Sequence, residues 1–290
     1  MAGVLLALLV AAAGAPPHPV EFWRSVAQHG YDVPAGADLQ ALVAELEDLL
    51  ASPDPELRDD IAYSTFAAWI FQKRVIEPPL LRTLADDLTR NLTRGVGEGE
   101  TDGVLRRSFS ALTLSVIVAR DNASPFLTAD EFRRMEAAAL AYLAAERDLR
   151  GYDPQKGWMH SAAHTADLLK FLARSRHLAA DDQTTLLDAI GRKLATAAVV
   201  FTHGEDERFA RAILSIVTRA DFDRAAFQGW SSRVRPARLL ARPSPADLAG
   251  AQNVKNALSK LEVLLATVPE PPESVVAARD AVRAALKDLF

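Results

Sequence analysis

Apolar residues recur every three or four positions along almost the whole chain from Glu21 onward, and no segment sustains the period-two alternation a sheet requires. The pattern predicts helices and no strand. Leu39, Leu42, Val43, Leu46 and Leu50 fall on one face of a helix opened by Asp38, whose carboxylate suits an N-cap. Ser52-Pro53-Asp54-Pro55 interrupts the chain, and a second helix, Glu56 to Arg74, carries Tyr63, Phe66, Trp69 and Ile70 at helical spacing. Pro78-Pro79 open the next one.

The loop Gly95 to Gly103, with glycines at every other position of GVGEG, has no apolar run and reads as a flexible connection. Thr128 and Glu131 form a capping box for a helix to Arg147, since each side chain satisfies a free N–H of the other. Further helices are expected from Asp181 or Asp182 to Thr202, from Glu205, from Pro245 to Val268, and from Pro272 to Leu289. Roughly ten helices joined by short turns make an all-α fold of antiparallel hairpins. Units of about 45 residues approach the length of HEAT or armadillo repeats, so an irregular α-solenoid is expected, with a closed helical bundle as the rival architecture. Residues 20–226 form the expected main domain and 245–290 a C-terminal hairpin packed on it. The Phe227 to Ala246 segment, with Trp230, four arginines and three prolines, is the expected boundary.

The first residues change the picture of where the protein works. MAGVLLALLVAAAGA holds an unbroken apolar run from Val4 to Ala13, followed by small residues and Pro16, Pro17 and Pro19. That is signal-peptide length and about half of a membrane span, so residues 1–15 are read as a signal peptide and the mature chain as free of a transmembrane span. A periplasmic or secreted protein is expected; a core helix in a cytoplasmic protein is the alternative. The 290 residues are 49% apolar with a net charge of −5, and lysines and arginines are interspersed with acids, which excludes a basic footprint for nucleic acid. The chain has no cysteine, which rules out disulfides, thiolate catalysis and cysteine-bound metal clusters.

Four stretches together carry a resemblance: LRDDIAYSTFAAWI from Leu57, GVGEGETDGVLRRSFSALTL from Gly95, GWMHSAAHTADLL from Gly157 and GEDERFARAIL from Gly204. In content and order they resemble the bacterial domain-of-unknown-function family 2785, over about Leu57 to Val217. The resemblance implies an all-helical bacterial protein and leaves its activity open.

The third stretch carries the chemistry. Read as one helix, it sets His160, His164, Asp167 and Phe171 in a stripe about 60° wide, opposite Trp158, Thr165, Leu168, Leu169 and Leu172. Two histidines four apart with an aspartate a turn on form a metal-ligand set, His160, His164 and Asp167, suited to zinc, manganese or iron as divalent cofactor. Ser161 stands where a zincin peptidase has its general-base glutamate, which excludes that class. On the helix after His203, Glu205 and Asp206 project with Phe209, Ile213 and Ile216, so the five polar residues are expected to meet across adjacent hairpins. Buried histidines and first-turn acids do the same as a purely structural lock, and that reading is preferred here. Arg106 and Arg107, after the glycine-rich loop, are the candidate anion-binding pair, although arginine near a helix N-terminus opposes the dipole. The best functional expectation is a helical-repeat protein that binds a protein, peptide or envelope component, with a metal-dependent hydrolase centred on the histidines as alternative.

Overall fold

In the computed structural model the chain is described over residues 18–234 and 243–289; the N-terminal apolar run and residues 235–242 of the expected boundary lie outside the described residues. Short helices come first, α1 (Val20–Gln28) and α2 (Leu39–Leu49). Asp38 caps α2 as expected, accepting from the Gln40 and Ala41 N–H groups. The aromatic-rich helix is then wound unusually: π1 (Glu56–Tyr63), a turn of α3 (Ser64–Ala67) and π2 (Ala68–Gln72). At the π1–α3 junction both the backbone N–H and the hydroxyl of Ser64 donate to the carbonyl of Asp59, which widens the turn to an i→i+5 pattern.

The remaining helices are α4 (Pro78–Asn91), α5 (Gly103–Ala123), α6 (Ala129–Ala145), α7 (Ser161–Leu172), α8 (Ala180–Thr196), α9 (Glu205–Val217), α10 (Arg224–Arg233), α11 (Pro245–Ala266) and α12 (Glu273–Lys287). The capping box at Thr128 and Glu131 is present. Helix α8 ends at Thr196, short of Thr202, and its N-cap is Ala179; Asp181 and Asp182 sit in the first turn, where the macrodipole favours them, instead of capping.

Neighbours alternate. Helices α5, α7, α9 and α11 pack successively against one another, and α4, α6 and α8 form a second row behind them. The fold of the described residues is all-α with almost no strand, as the periodicity indicates. Helix α5 heads the first row: it is buried nearly all round and packs most extensively on α7, and both helices carry small buried residues, Ser108, Ala111 and Ser115 on α5 and Ala162, Ala163 and Ala166 on α7. Helix α11 joins the same core, meeting α8 so closely that a Cβ at Gly250 would stand 2.1 Å from the Ala195 carbonyl oxygen.

One expectation fails before α7. No strand was foreseen, yet Tyr152–Asp153 (β1) pairs antiparallel with Gly157–Trp158 (β2). The turn is local chemistry that hydrophobic periodicity does not register. The Asp153 carboxylate accepts from Gln155 and Lys156 N–H, Pro154 presets the bend, and Gly157 takes a φ of 72° that an L side chain resists. Lys156 pairs with Asp102 ahead of α5, pinning the ribbon to the core.

Candidate functional site

The ribbon decides where the histidines go. Met159 and His160 continue its pairing, donating to the carbonyls of Gly151 and Arg150, so the chain must bend sharply before helix α7 can start at Ser161. His160 takes that bend in the left-handed region at φ 47°, ψ 33°. For a non-glycine residue this costs on the order of 1–3 kcal/mol, and such strain gathers where a side chain must be aimed. Trp158 and His160 therefore do not belong to the α7 helix, as the single-helix reading had them. They still converge: His160 stacks on Trp158 with ring centroids 4.3 Å apart and meets His164 edge-on at 5.5 Å.

Around these rings lies an open cavity of about 580 Å³. Trp158, His160, His164 and Asp167 line one side; Asp59 and Tyr63 reach it from π1, Phe109 and Leu112 from α5, and His203 and Arg208 from the start of α9. Every one of the four stretches that carry the resemblance contributes to this wall. Asp59, Tyr63, Trp158, His203 and Arg208 were not singled out as site residues from the sequence. The available signal was that four separated stretches must share a reason to occur together.

The tautomer of His164 follows from its neighbours. Ser108 Oγ donates to the Met159 carbonyl at 2.5 Å, so its lone pair must accept from His164 Nδ1, 2.8 Å away. His164 Nε2 then carries the lone pair. This also removes Ser108 as a nucleophile, since it is fully buried with its proton committed. The Nε2 of His160 is buried with no partner at all. Burial, reinforced by the electrostatic influence of nearby Arg208 and His203, pushes His160 down to about 4, and burial together with His160 and Arg208 holds His164 well below the usual histidine range. Both imidazoles are neutral at pH 7. Burial raises Asp59 to about 6 despite Arg58, and raises Tyr63, with Asp167 adding to the effect.

Arg58 secures this side of the cavity. Its guanidinium is fully buried, donates to the carbonyls of Ser52 and Lys156, and lies 4.7 Å from the centroid of Phe109. It thus ties π1, the ribbon and α5 into one unit.

The predicted acids are placed otherwise than a metal site needs. Asp167 gives one oxygen to Lys170 at 3.0 Å and the other to Arg208 at 2.5 Å. Glu205 accepts from the His203 N–H, and Asp206 pairs with Lys260 on α11. Neither acid lines the histidine cavity. The acids do bridge neighbouring helices, α7 to α9 and α9 to α11, but to cations instead of histidines. Among the described residues no group of three or more histidine and acidic side chains is arranged to hold a metal ion. Arg107 is completely buried, donating to Glu146 at 2.6 Å and to the Arg94 carbonyl, while Arg106 faces Asp48 at 3.4 Å. The two arginines therefore turn to different partners.

A second cavity of about 480 Å³ lies beside the first, and the two share Tyr63, Leu112 and Asp167 as a common wall. Their linings draw on π1, α3, π2, α5 and α7. No described helix is long and apolar enough to cross a membrane.

A family model described as "Protein of unknown function (DUF2785)" matches residues 92–265, more than half of the chain. The match begins after Asp59 and Tyr63 and runs through most of α11, which extends beyond the stretch of resemblance at its C-terminal end. No curated protein and no solved structure matches the chain.

Proposed function

Because the chain belongs to this family of unknown function, we propose from the site itself that the protein is a binding module that holds an extended peptide segment in a trench formed by the two cavities on its odd-numbered helix row. The observation that carries the reading is the pair of cavities sharing one wall, open to solvent and lined by aromatic rings and by side chains that carry hydrogen-bonding groups. The histidine end offers two neutral imidazoles, one with a defined Nε2 lone pair and one with a buried, unpartnered Nε2. Backbone N–H groups of an extended peptide supply the donors these atoms lack, and Trp158, 39% exposed, supplies a stacking face. The stacked hairpin rows resemble α-solenoids in principle, whose repeats present such a surface. The N-terminal apolar run fits an exported protein whose partner is a protein or envelope component.

A metal-dependent hydrolase fits less well, because Asp167 is drawn off by two cations and leaves the histidines without a third ligand. The test is selection from a random hexapeptide library, followed by titration of the selected peptides. Trp158 fluorescence reports binding, since Trp23, Trp69 and Trp230 are buried. Selected peptides should shift Trp158 emission, and His160→Ala should weaken them by about tenfold, the usual loss for one good hydrogen bond. Absence of any selected binder, together with a zinc-induced rise in melting temperature abolished by His160→Ala, would reverse the preference.

A further inference from the structure

The second cavity is chemically unlike the first. One part of its lining is apolar, with Leu112 and Val116 from α5, Phe171 from α7 and Phe71 from π2, the last 43% exposed, while Asp167 and Lys170 line it as an ion pair. Among these stand two polar groups whose capacity is not used up within the chain. Arg174 lines the cavity, donates from Nε to Ser215 Oγ at 3.0 Å and lies 5.3 Å from the centroid of the Phe171 ring. No carboxylate among the described residues forms an ion pair with it, whereas most arginines here are so paired, including Arg208 and Arg219. Asn122, at the end of α5, lines the cavity and donates its amide to the Phe171 carbonyl at 2.9 Å, while its Oδ1 is buried without a partner.

An exposed guanidinium with no acidic partner among the described residues, an orphaned acceptor and an apolar slot form a complementary set. The guanidinium asks for an anion, the acceptor for an N–H, and the slot for a hydrocarbon or aromatic side chain. One structure supplies all three within a single residue: the carboxy-terminal residue of a peptide, with its α-carboxylate, its own backbone N–H and an apolar side chain. We infer that this cavity captures the free C-terminus of the bound peptide, with the carboxylate on Arg174, the last N–H on Asn122 Oδ1 and an apolar final side chain against Phe71, Val116 and Phe171. A fatty acid offers the same carboxylate and apolar body. It has no N–H for Asn122, and its chain would leave the acceptors of the histidine cavity unsatisfied.

The polarity of the bound chain follows. The C-terminus sits at the π2–α7 end, the preceding residues pass Tyr63 and Asp167, and residues further upstream reach the His160–His164 cavity. Lys170, 4.6 Å from the Phe171 ring centroid, is paired with Asp167 in the same lining, so among the described residues Arg174 remains the cation without an acidic partner at this end.

This inference rests on the peptide-binding reading, and the two fail separately. Peptides selected as above are synthesised in pairs, with a free C-terminal carboxylate or a C-terminal amide, and titrated against the full chain by calorimetry. The free acids, ending in Leu or Phe, should bind at least tenfold tighter than their amides. Arg174→Gln should abolish that difference, weakening the free acids by at least tenfold more than the amides. Asn122→Asp, which sets a negative charge where an acceptor stood beside the bound carboxylate, should weaken the free acids more than the amides. Equal affinity for acid and amide, with Trp158 still responding, overturns the C-terminal assignment and leaves the trench reading intact. Tighter binding of dodecanoate than of any peptide, lost in Arg174→Gln, overturns both. Circular dichroism of each variant confirms that the fold is retained, and Val116→Trp, which fills the slot from a half-exposed position, provides a second route to loss of the free-acid preference.

Discussion

Replacing His160 by Gln should flatten the acid limb of the stability profile, and the size of the effect can be worked from its surroundings. The ring is 5% exposed, stacked on Trp158, with Arg208 and His203 near it and its Nε2 unpaired. Its folded-state value lies at about 4, against about 6.5 for a free imidazole. The folded value is the lower one, so the contribution is present above pH 6.5 and is lost as pH falls toward 4. At about 1.36 kcal/mol per unit, the neutral imidazole costs the fold nothing at pH 7.5, while at pH 5 the unfolded state gains about 2 kcal/mol by protonating where the folded state does not. Glutamine keeps the polar shape without the titration. Urea unfolding at pH 7.5 and pH 5 should therefore show His160→Gln losing about 2 kcal/mol less than the parent chain between the two pH values. Asp59, raised to about 6, titrates in the opposite sense in both proteins and cancels in the comparison. Parallel losses in the two proteins would refute the claim that His160 is held neutral by burial in this cavity.

Two further changes probe the fold and a second buried acid. Glu136 on α6 is buried with its Oε1 unpaired, and burial, aided by Asp182, raises it to about 7. Its raised value means stability is present below about pH 4.5 and lost as pH rises to 7, so Glu136→Gln should be more stable than the parent by about 2–3 kcal/mol at pH 8 and equal to it near pH 4, measured by denaturant titration. Gly250→Ala puts a methyl group against the Ala195 carbonyl at 2.1 Å, a backbone contact that cannot rotate away, and should lower stability by roughly 1–3 kcal/mol in thermal melts. A neutral result would mean that α8 and α11 approach less closely than described.

The helices were readable because their signal is local and repeated: Asp38, Thr128 with Glu131, and the apolar spacing of α2 each sit within one or two turns. The ribbon was missed because it rests on one aspartate, one proline and one glycine over five residues, too short to carry a period. The same omission misplaced Trp158 and His160 on a helix, although the sequence correctly brought His160 and His164 together. Site membership across the fold was harder to read. Asp59 and Tyr63 are four apart on a helix of mixed charged and apolar residues and carry no chemical signature there; the segment is wound as a π-helix, and both side chains line the cavity with the histidines. The acids Glu205 and Asp206 face inward as expected, yet their partners, the His203 N–H and Lys260, are fixed by helix packing that no spacing rule anticipates.

The central claim is that one trench, not two unrelated cavities, holds one extended peptide. Chemical-shift mapping of the isotopically labelled protein with a selected hexapeptide addresses it directly. The account predicts simultaneous saturation of shifts at His160 and His164 on one side of the Tyr63–Leu112–Asp167 wall and at Val116, Asn122 and Phe171 on the other, with a single dissociation constant. Shifts confined to one side, or centred instead on the separate cavity beside Lys193 and Ala197, would contradict it.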